Sequence, residues 1–275
     1  MMNLSKRKEV LYMTNFKLDI EINNETYTET QLNRYKYERA LHFLHEVIDL
    51  GFTPKTSDGQ SVTPIELNWM TPADVLALAV ATHTAMGSAG TLDLFKDILI
   101  DSDNRWHAFN QRPIEEQGVW IGTTHLTAHG IDPASFGMAM GGLQNGDIPF
   151  QIMPEHYYFA GDITKEPQTI METFGMLGEP TLTYGTGGKE IPSYVHVDRL
   201  ADHPSILAGE TFLKHDDFNI HVGAIHQIQP LPDGLDIVSS YFCPKDAPKA
   251  IADGHTIHFA LELGGALQIA AQQQS

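Results

Sequence analysis

The sequence predicts an α+β protein, with helices laid on one face of a curved antiparallel sheet and a cavity between that sheet and a long C-terminal helix. Three observations predict it. Residues 1–112 read as mostly helical. Beyond Pro113 the chain turns to short segments rich in Val, Ile, Thr and aromatics, bounded by Gly, Pro and Asp, as strands are. The C-terminus closes with an apolar run, HTIHFALELGGALQIA, whose spacing is helical. A length of 275 residues suits a larger unit joined to a smaller one, here a helical N-terminal region (1–112) and a sheet-bearing domain (113–275).

The elements follow in order. Residues 28–50 are predicted to form an amphipathic helix, with Leu41, Phe43, Leu44, Val47 and Ile48 as its apolar stripe and Gly51 as its stop. Residues 52–62 read as a loop. Thr71 as N-cap and Pro72 at the first helical position start a second helix that runs to about Gly87, and a short third covers 91–99. Strands are expected at 118–127, 180–186, 191–197, 206–213, 218–229 and 234–243, with a helix at 133–143 capped by Asp132. The GTGG run at 185–188 lacks the context of a phosphate loop and reads as a hairpin turn. The last helix begins after Asp246, with Pro248 in its first turn. Along it, Ile251, His255, His258, Glu262, Ala266 and Ile269 form a line facing the sheet. Lys249, Asp253, Thr256 and Gln268 form a line facing water.

Composition narrows the function classes. A formal net charge of −18 repels phosphate backbones and anionic bilayers, which argues against nucleic-acid and membrane partners. The first residues, MMNLSKRKEVLYMTNF, are basic but lack the apolar stretch of a signal peptide, and no run approaches the roughly 20 apolar residues of a membrane span. The expectation is a soluble cytoplasmic protein. The single cysteine, Cys243, excludes an intrachain disulfide and a Cys-rich zinc module. No GxSxG elbow is present and Cys243 has no activating neighbour, so serine and cysteine hydrolase chemistry is a poor fit.

The chemistry-bearing residues centre on His258 and Glu262, four apart and hence on one face of the last helix. A buried imidazole beside a buried carboxylate calls for a partner, and a metal ion is one. His125, late on the first strand of the second domain, is a further nitrogen candidate. Glu155 and His156 in MPEHYYFAGD are candidates for the remaining position, but adjacent strand residues point to opposite faces, so both do not readily ligate together. Two imidazoles and two carboxylates suit zinc, with iron or manganese possible.

The segments TTHLTAHGIDPASF, IMPEHYYFAG and HTIHFALELGGAL resemble the 2,4-diacetylphloroglucinol hydrolase and phloretin hydrolase family. The likeness covers roughly residues 115–275, and its motifs are short. It implies a helix-grip (Bet v 1-like) domain, the antiparallel sheet wrapped on the C-terminal helix, and a zinc ion held by His125, Glu155, His258 and Glu262. It further implies hydrolysis of a carbon–carbon bond between an acyl group and a phenolic or β-diketone-like compound. His196 or His203 would be the catalytic proton donor, Tyr157 and Tyr241 would line the substrate pocket, and a homodimer is possible. Two positions depart from the family pattern: Gln117 and Ala128 stand where a tyrosine and an asparagine bind ring hydroxyls, which leaves the substrate open. The alternative is a non-catalytic member of the helix-grip type that binds a hydrophobic small molecule.

Overall fold

A computed structural model describes residues 16–142, 146–161, 167–176 and 178–274. The basic stretch expected at residues 1–15 and the end of the 133–143 helix at Leu143 lie outside the described residues. In chain order the elements are β1 (Lys17–Ile22), β2 (Glu25–Tyr27), α1 (Glu29–Asp49), α2 (Pro64–Leu67), α3 (Pro72–Leu94), α4 (Lys96–Phe109) and α5 (Ile114–Gln117). There follow β3 (Val119–His129), α6 (Pro133–Gly141), α7 (Ile148–Ile152), β4 (His156–Ala160), β5 (Gln168–Glu172), β6 (Thr181–Gly185), β7 (Ser205–Leu213), β8 (Asn219–Leu231), β9 (Gly234–Pro244) and α8 (Lys249–Gln273).

The strands form one antiparallel sheet in the order β2-β1-β3-β9-β8-β7-β6-β5-β4. The C-terminal helix α8 packs on its inner face, against β3, β9 and the 3-10 turn Phe174–Met176. The α+β class is therefore as the sequence predicts. The sheet reaches further toward the N-terminus than expected, because residues 17–27 form β1 and β2, with β1 paired to β3. Strict alternation in β1, with Leu18, Ile20 and Ile22 buried and Lys17, Asp19 and Glu21 exposed, is the reason. The outer edge strands β4 and β5 also went unpredicted, while residues 191–197 form no strand. Instead, the link from β6 to β7 runs over the outer face of the sheet, where Val195 packs with Ala208, Ile225 and Phe242. The GTGG run begins that long link rather than a tight hairpin.

The helical layer starts as predicted. Thr28 and Thr71 cap α1 and α3, each accepting a bond from the third helical residue. Helix α3 extends past Gly87, whose φ of 61° breaks the helical geometry where a stop was expected, and α4 continues to Phe109. By length and composition α3 is apolar enough to cross a membrane, contrary to the sequence expectation. Here it lies against α1, α7 and β4. A second core forms where Phe43, Leu44 and Val47 of α1 meet Val75, Leu78 and Ala79 of α3.

Helix α8 is buried on more than one side. Ile251, His255, His258 and Ala266 are buried as predicted, but so is Thr256, expected on the wet line. Its carbonyl accepts from Thr124 Oγ1 at 2.6 Å. The helix also meets the Phe174–Met176 turn closely: a Cβ on Gly254 would lie 1.7 Å from the Gly175 carbonyl oxygen. Only glycine permits that approach.

Candidate metal centre

Three elements bring side chains to one point on the inner face. His156 is the first residue of β4 and Glu172 the last of β5, and the two are direct cross-strand partners. They face one side because opposed residues in an antiparallel ladder do. His258 projects from α8 toward them. The distances are 3.0 Å from His156 Nε2 to His258 Nε2, 3.3 Å from His258 Nε2 to Glu172 Oε2, and 3.5 Å from His156 Nε2 to the same oxygen. All three residues are buried. Glu262, one turn along α8, brings Oε2 to 3.9 Å from His258 Nε2 and is partly exposed to the adjoining cavity.

This buried His156–Glu172–His258 cluster could hold a metal ion. Neighbouring ligands of a tetrahedral ion with bonds of about 2.0–2.1 Å stand roughly 3.3 Å apart, close to all three edges here. Chemistry agrees with the spacing. Two imidazole nitrogens in contact satisfy each other only if one carries a proton, and both also face one carboxylate oxygen; a cation satisfies all three. His156 is prepared for such a role. Its Nδ1–H donates to the Pro149 carbonyl at 3.2 Å, which leaves the Nε2 lone pair free.

Charge and burial tune the neighbours. Burial disfavours the His156 imidazolium, but the Glu172 hydrogen bond and the Glu262 and Glu172 charges outweigh it and raise its pKa. His258 is held well below the usual histidine value by burial and by the facing rings of His255 and His156. Burial, reinforced by Glu172 and opposed by His156, raises the Glu262 carboxyl. His255 and His226 are both pushed down to about 4, chiefly by burial, so each is neutral at pH 7.

A cavity of about 750 Å³ adjoins the cluster. Glu172 and Glu262 form its polar end with Tyr241, His255 and His226, and Phe136, Phe159, Phe174 and Phe259 are among its apolar walls. The Tyr241 hydroxyl is buried without a hydrogen-bond partner among the described residues. His255 stacks on Tyr241 with ring centroids 4.0 Å apart and accepts the Gly175 N–H at Nδ1, so its proton sits on Nε2. His226 shares a 2.8 Å bond with Ser239 through Nδ1.

The expected ligand set is assembled only in part. His258 and Glu262 meet as their spacing predicts. His125 does not join them: it lies on the opposite face of β3, bonded through Nε2 to Asp236 at 2.8 Å. Thr124, Leu126 and Ala128 are the buried residues of this strand stretch, and they take the face toward α8. Gly122 marks that face, since a Cβ there would meet Thr256 Cγ2 at 2.4 Å. Glu155 is fully buried but turned toward α1, 2.7 Å from His42 Nδ1 and 3.5 Å from Arg39 Nη1. His156 stands at the cluster instead, together with Glu172, which the sequence expectation did not include. The signal for Glu172 was a carboxylate in the apolar run TIMETF.

The expected catalytic histidines also lie elsewhere. His203 is buried on the outer face, 3.1 Å from Asp236 and 2.8 Å from Asp202. His196 is exposed and borders a separate outer depression of about 420 Å³ with Tyr194 and Lys245. The cavity histidines are His226 and His255. Of the two expected pocket tyrosines, Tyr241 lines the cavity, whereas Tyr157 packs between Phe43 and Phe95 and donates its hydroxyl to Glu46. Comparison of the chain with protein-family models and with curated proteins finds no match.

Proposed function

We propose that this protein is a zinc-dependent hydrolase of the helix-grip type, cleaving an acyl group from an electron-rich aromatic or β-diketone-like compound. The observation that carries the reading is the triangle of His156 Nε2, His258 Nε2 and Glu172 Oε2 at the polar end of an apolar cavity. These three residues would hold the ion, and Glu262 stands beside them as a free carboxylate. Zinc bound there supplies Lewis-acid polarisation of a carbonyl and a water of lowered pKa.

The remaining roles fall to side chains of the cavity. Its aromatic walls take up a flat apolar molecule. Tyr241, with an unpartnered hydroxyl, and His255, with its proton on Nε2, are the donors available to an oxygen of that molecule. Being neutral, His255 and His226 orient rather than supply protons. Glu262 borders both the cluster and the cavity, so its carboxylate would take a proton from the attacking water and return it to the carbon leaving group. Water is thus divided between the two products, hydroxyl to the acyl carbon and proton to the ring carbon.

The test is elemental analysis of the purified protein together with turnover of an acylated trihydroxybenzene followed by NMR. About one zinc per chain and release of a carboxylic acid are expected. Zinc without turnover of any acylated phenol would leave a metal-bearing binding protein. Absence of stoichiometric metal after zinc reconstitution would end the hydrolase reading and leave a hydrophobic small-molecule binder.

A further inference from the structure

The backbone that carries His156 is gripped from behind by the N-terminal helices. His156 itself bonds the Pro149 carbonyl, whereas its neighbours Pro154, Glu155 and Tyr157 reach back to α3 and α1. His83 of α3 is 2% exposed and donates from Nε2 to the Pro154 carbonyl at 2.9 Å. Its ring is sandwiched between Phe43 and Phe150, with centroids 3.8 and 4.3 Å away and nearly parallel planes. Burial pushes its pKa down to about 3, so the ring is neutral. Its Nδ1 is buried without a partner among the described residues. A phenyl ring would fill the same stack without that cost. What the imidazole adds is the donor to Pro154.

On the α1 side the grip is ionic. The fully buried Glu155 carboxylate faces His42 and Arg39, and Arg39 also donates to the Met176 carbonyl at 2.9 Å. That second bond ties the same helix to the chain just past Glu172. Tyr157 donates to Glu46, one turn further along α1.

We infer that His83, Arg39 and His42 are positioning residues of the metal centre: α1 and α3 clamp residues 153–157 and so aim His156 Nε2 at His258 and Glu172. The inference rests on the metal reading above, and it gives the N-terminal helices a role in the site that their distance in sequence conceals. Residues of this kind, which orient a ligand without touching the ion, change metal affinity more than they change the fold.

The experiment uses the full chain and two variants, His83→Phe, which keeps the stack, and His83→Gln, which keeps an amide donor. Zinc affinity is read by competition with a chromogenic chelator, and amide hydrogen exchange is read over residues 150–158. His83→Phe is expected to weaken zinc binding roughly tenfold and to speed exchange in that segment, with the Tm of the zinc-free protein little changed. His83→Gln is expected to recover most of the affinity. Wild-type affinity and exchange in His83→Phe would overturn the clamp, and so would Phe and Gln variants that are equally weak. Should His83→Phe fail to fold, Arg39→Gln serves on the more accessible side, with a weakening of about threefold expected and an unchanged affinity counting against the clamp. If the wild-type chain binds no zinc, the metal reading falls, and exchange alone then decides the clamp: local acceleration supports it and none overturns it.

Discussion

The two faces of the sheet carry nearly the same side chains and use them in opposite ways. On the outer face, His125 Nε2 and His203 Nε2 each meet a separate oxygen of Asp236, at 2.8 and 3.1 Å, and Thr127 donates to the same carboxylate. His203 Nδ1 also meets Asp202 at 2.8 Å, and solvent reaches the group through the half-exposed His125. On the inner face, two imidazole nitrogens face each other at 3.0 Å and share one carboxylate oxygen, out of water. The outer arrangement is complete as a set of ion pairs. The inner one turns two imidazole nitrogens and a carboxylate oxygen onto one point, an arrangement that a cation would satisfy. Residue type alone does not make a candidate metal site; the direction of the lone pairs and the exclusion of water do.

That contrast can be broken most sharply by removing one histidine from each face. His258→Ala should abolish stoichiometric zinc and weaken residual binding by at least about a hundredfold, whereas His125→Ala should leave zinc content unchanged. Inductively coupled plasma mass spectrometry of both proteins, with chelator competition, checks the pair. Equal losses in the two variants would mean that the faces are not distinct.

A smaller effect is expected in the helical layer, where the Glu46 carboxyl is half-buried. Burial is the main cause that raises its carboxyl to about 7, although the Tyr157 hydroxyl and His42 oppose it. The folded state therefore holds a proton that the unfolded chain releases near pH 4.5. Stability from this group is fully present below that pH and is lost as pH rises through 7. Glu46→Gln should consequently stabilise the protein at pH 8 by about 2 kcal/mol and by almost nothing at pH 4, as urea denaturation at the two pH values would show.

The smallest change should come from the outer face itself. Burial opposes ionisation of Asp236, but Thr127 and the two histidines overcome it and depress its pKa. Its contribution is present above the ordinary aspartate range and is lost as pH falls through the depressed value. Asp236→Asn should lower stability at pH 7 by about 0.5–1 kcal/mol, with the difference from wild type closing at pH 3. A larger loss, or one accompanied by lost zinc, would show that the two faces are coupled.

Much of the layout was legible along the chain. The caps Thr28 and Thr71, Asp132 before α6, and the i,i+4 pair on α8 are local features, set within a turn or two of backbone. Strand β1 was missed in a region read as helical, although its strict alternation was a signal for it. Of the His156–Glu172–His258 cluster, only His258 and its helical neighbour Glu262 were readable from spacing. His156 and Glu172 are 16 positions apart and meet through the register of β4 against β5, and that register carries no local mark. His125 illustrates the complementary problem. Alternation places it opposite Thr124, but alternation cannot say which face is inside. Gly122 could have said so, being the position where the helix comes too close for a side chain.

What the amino-acid order determined by itself is therefore what lies within reach of a few bonds: where helices begin, which residues share a strand face, and that His258 stands one turn from Glu262. Only the tertiary structure decided which face was buried, which strands paired, and which of the 14 histidines turned toward one another. The reason is physical. Helical spacing is fixed by local hydrogen bonds, whereas the neighbours of a strand residue are chosen by the packing of the whole sheet against α8.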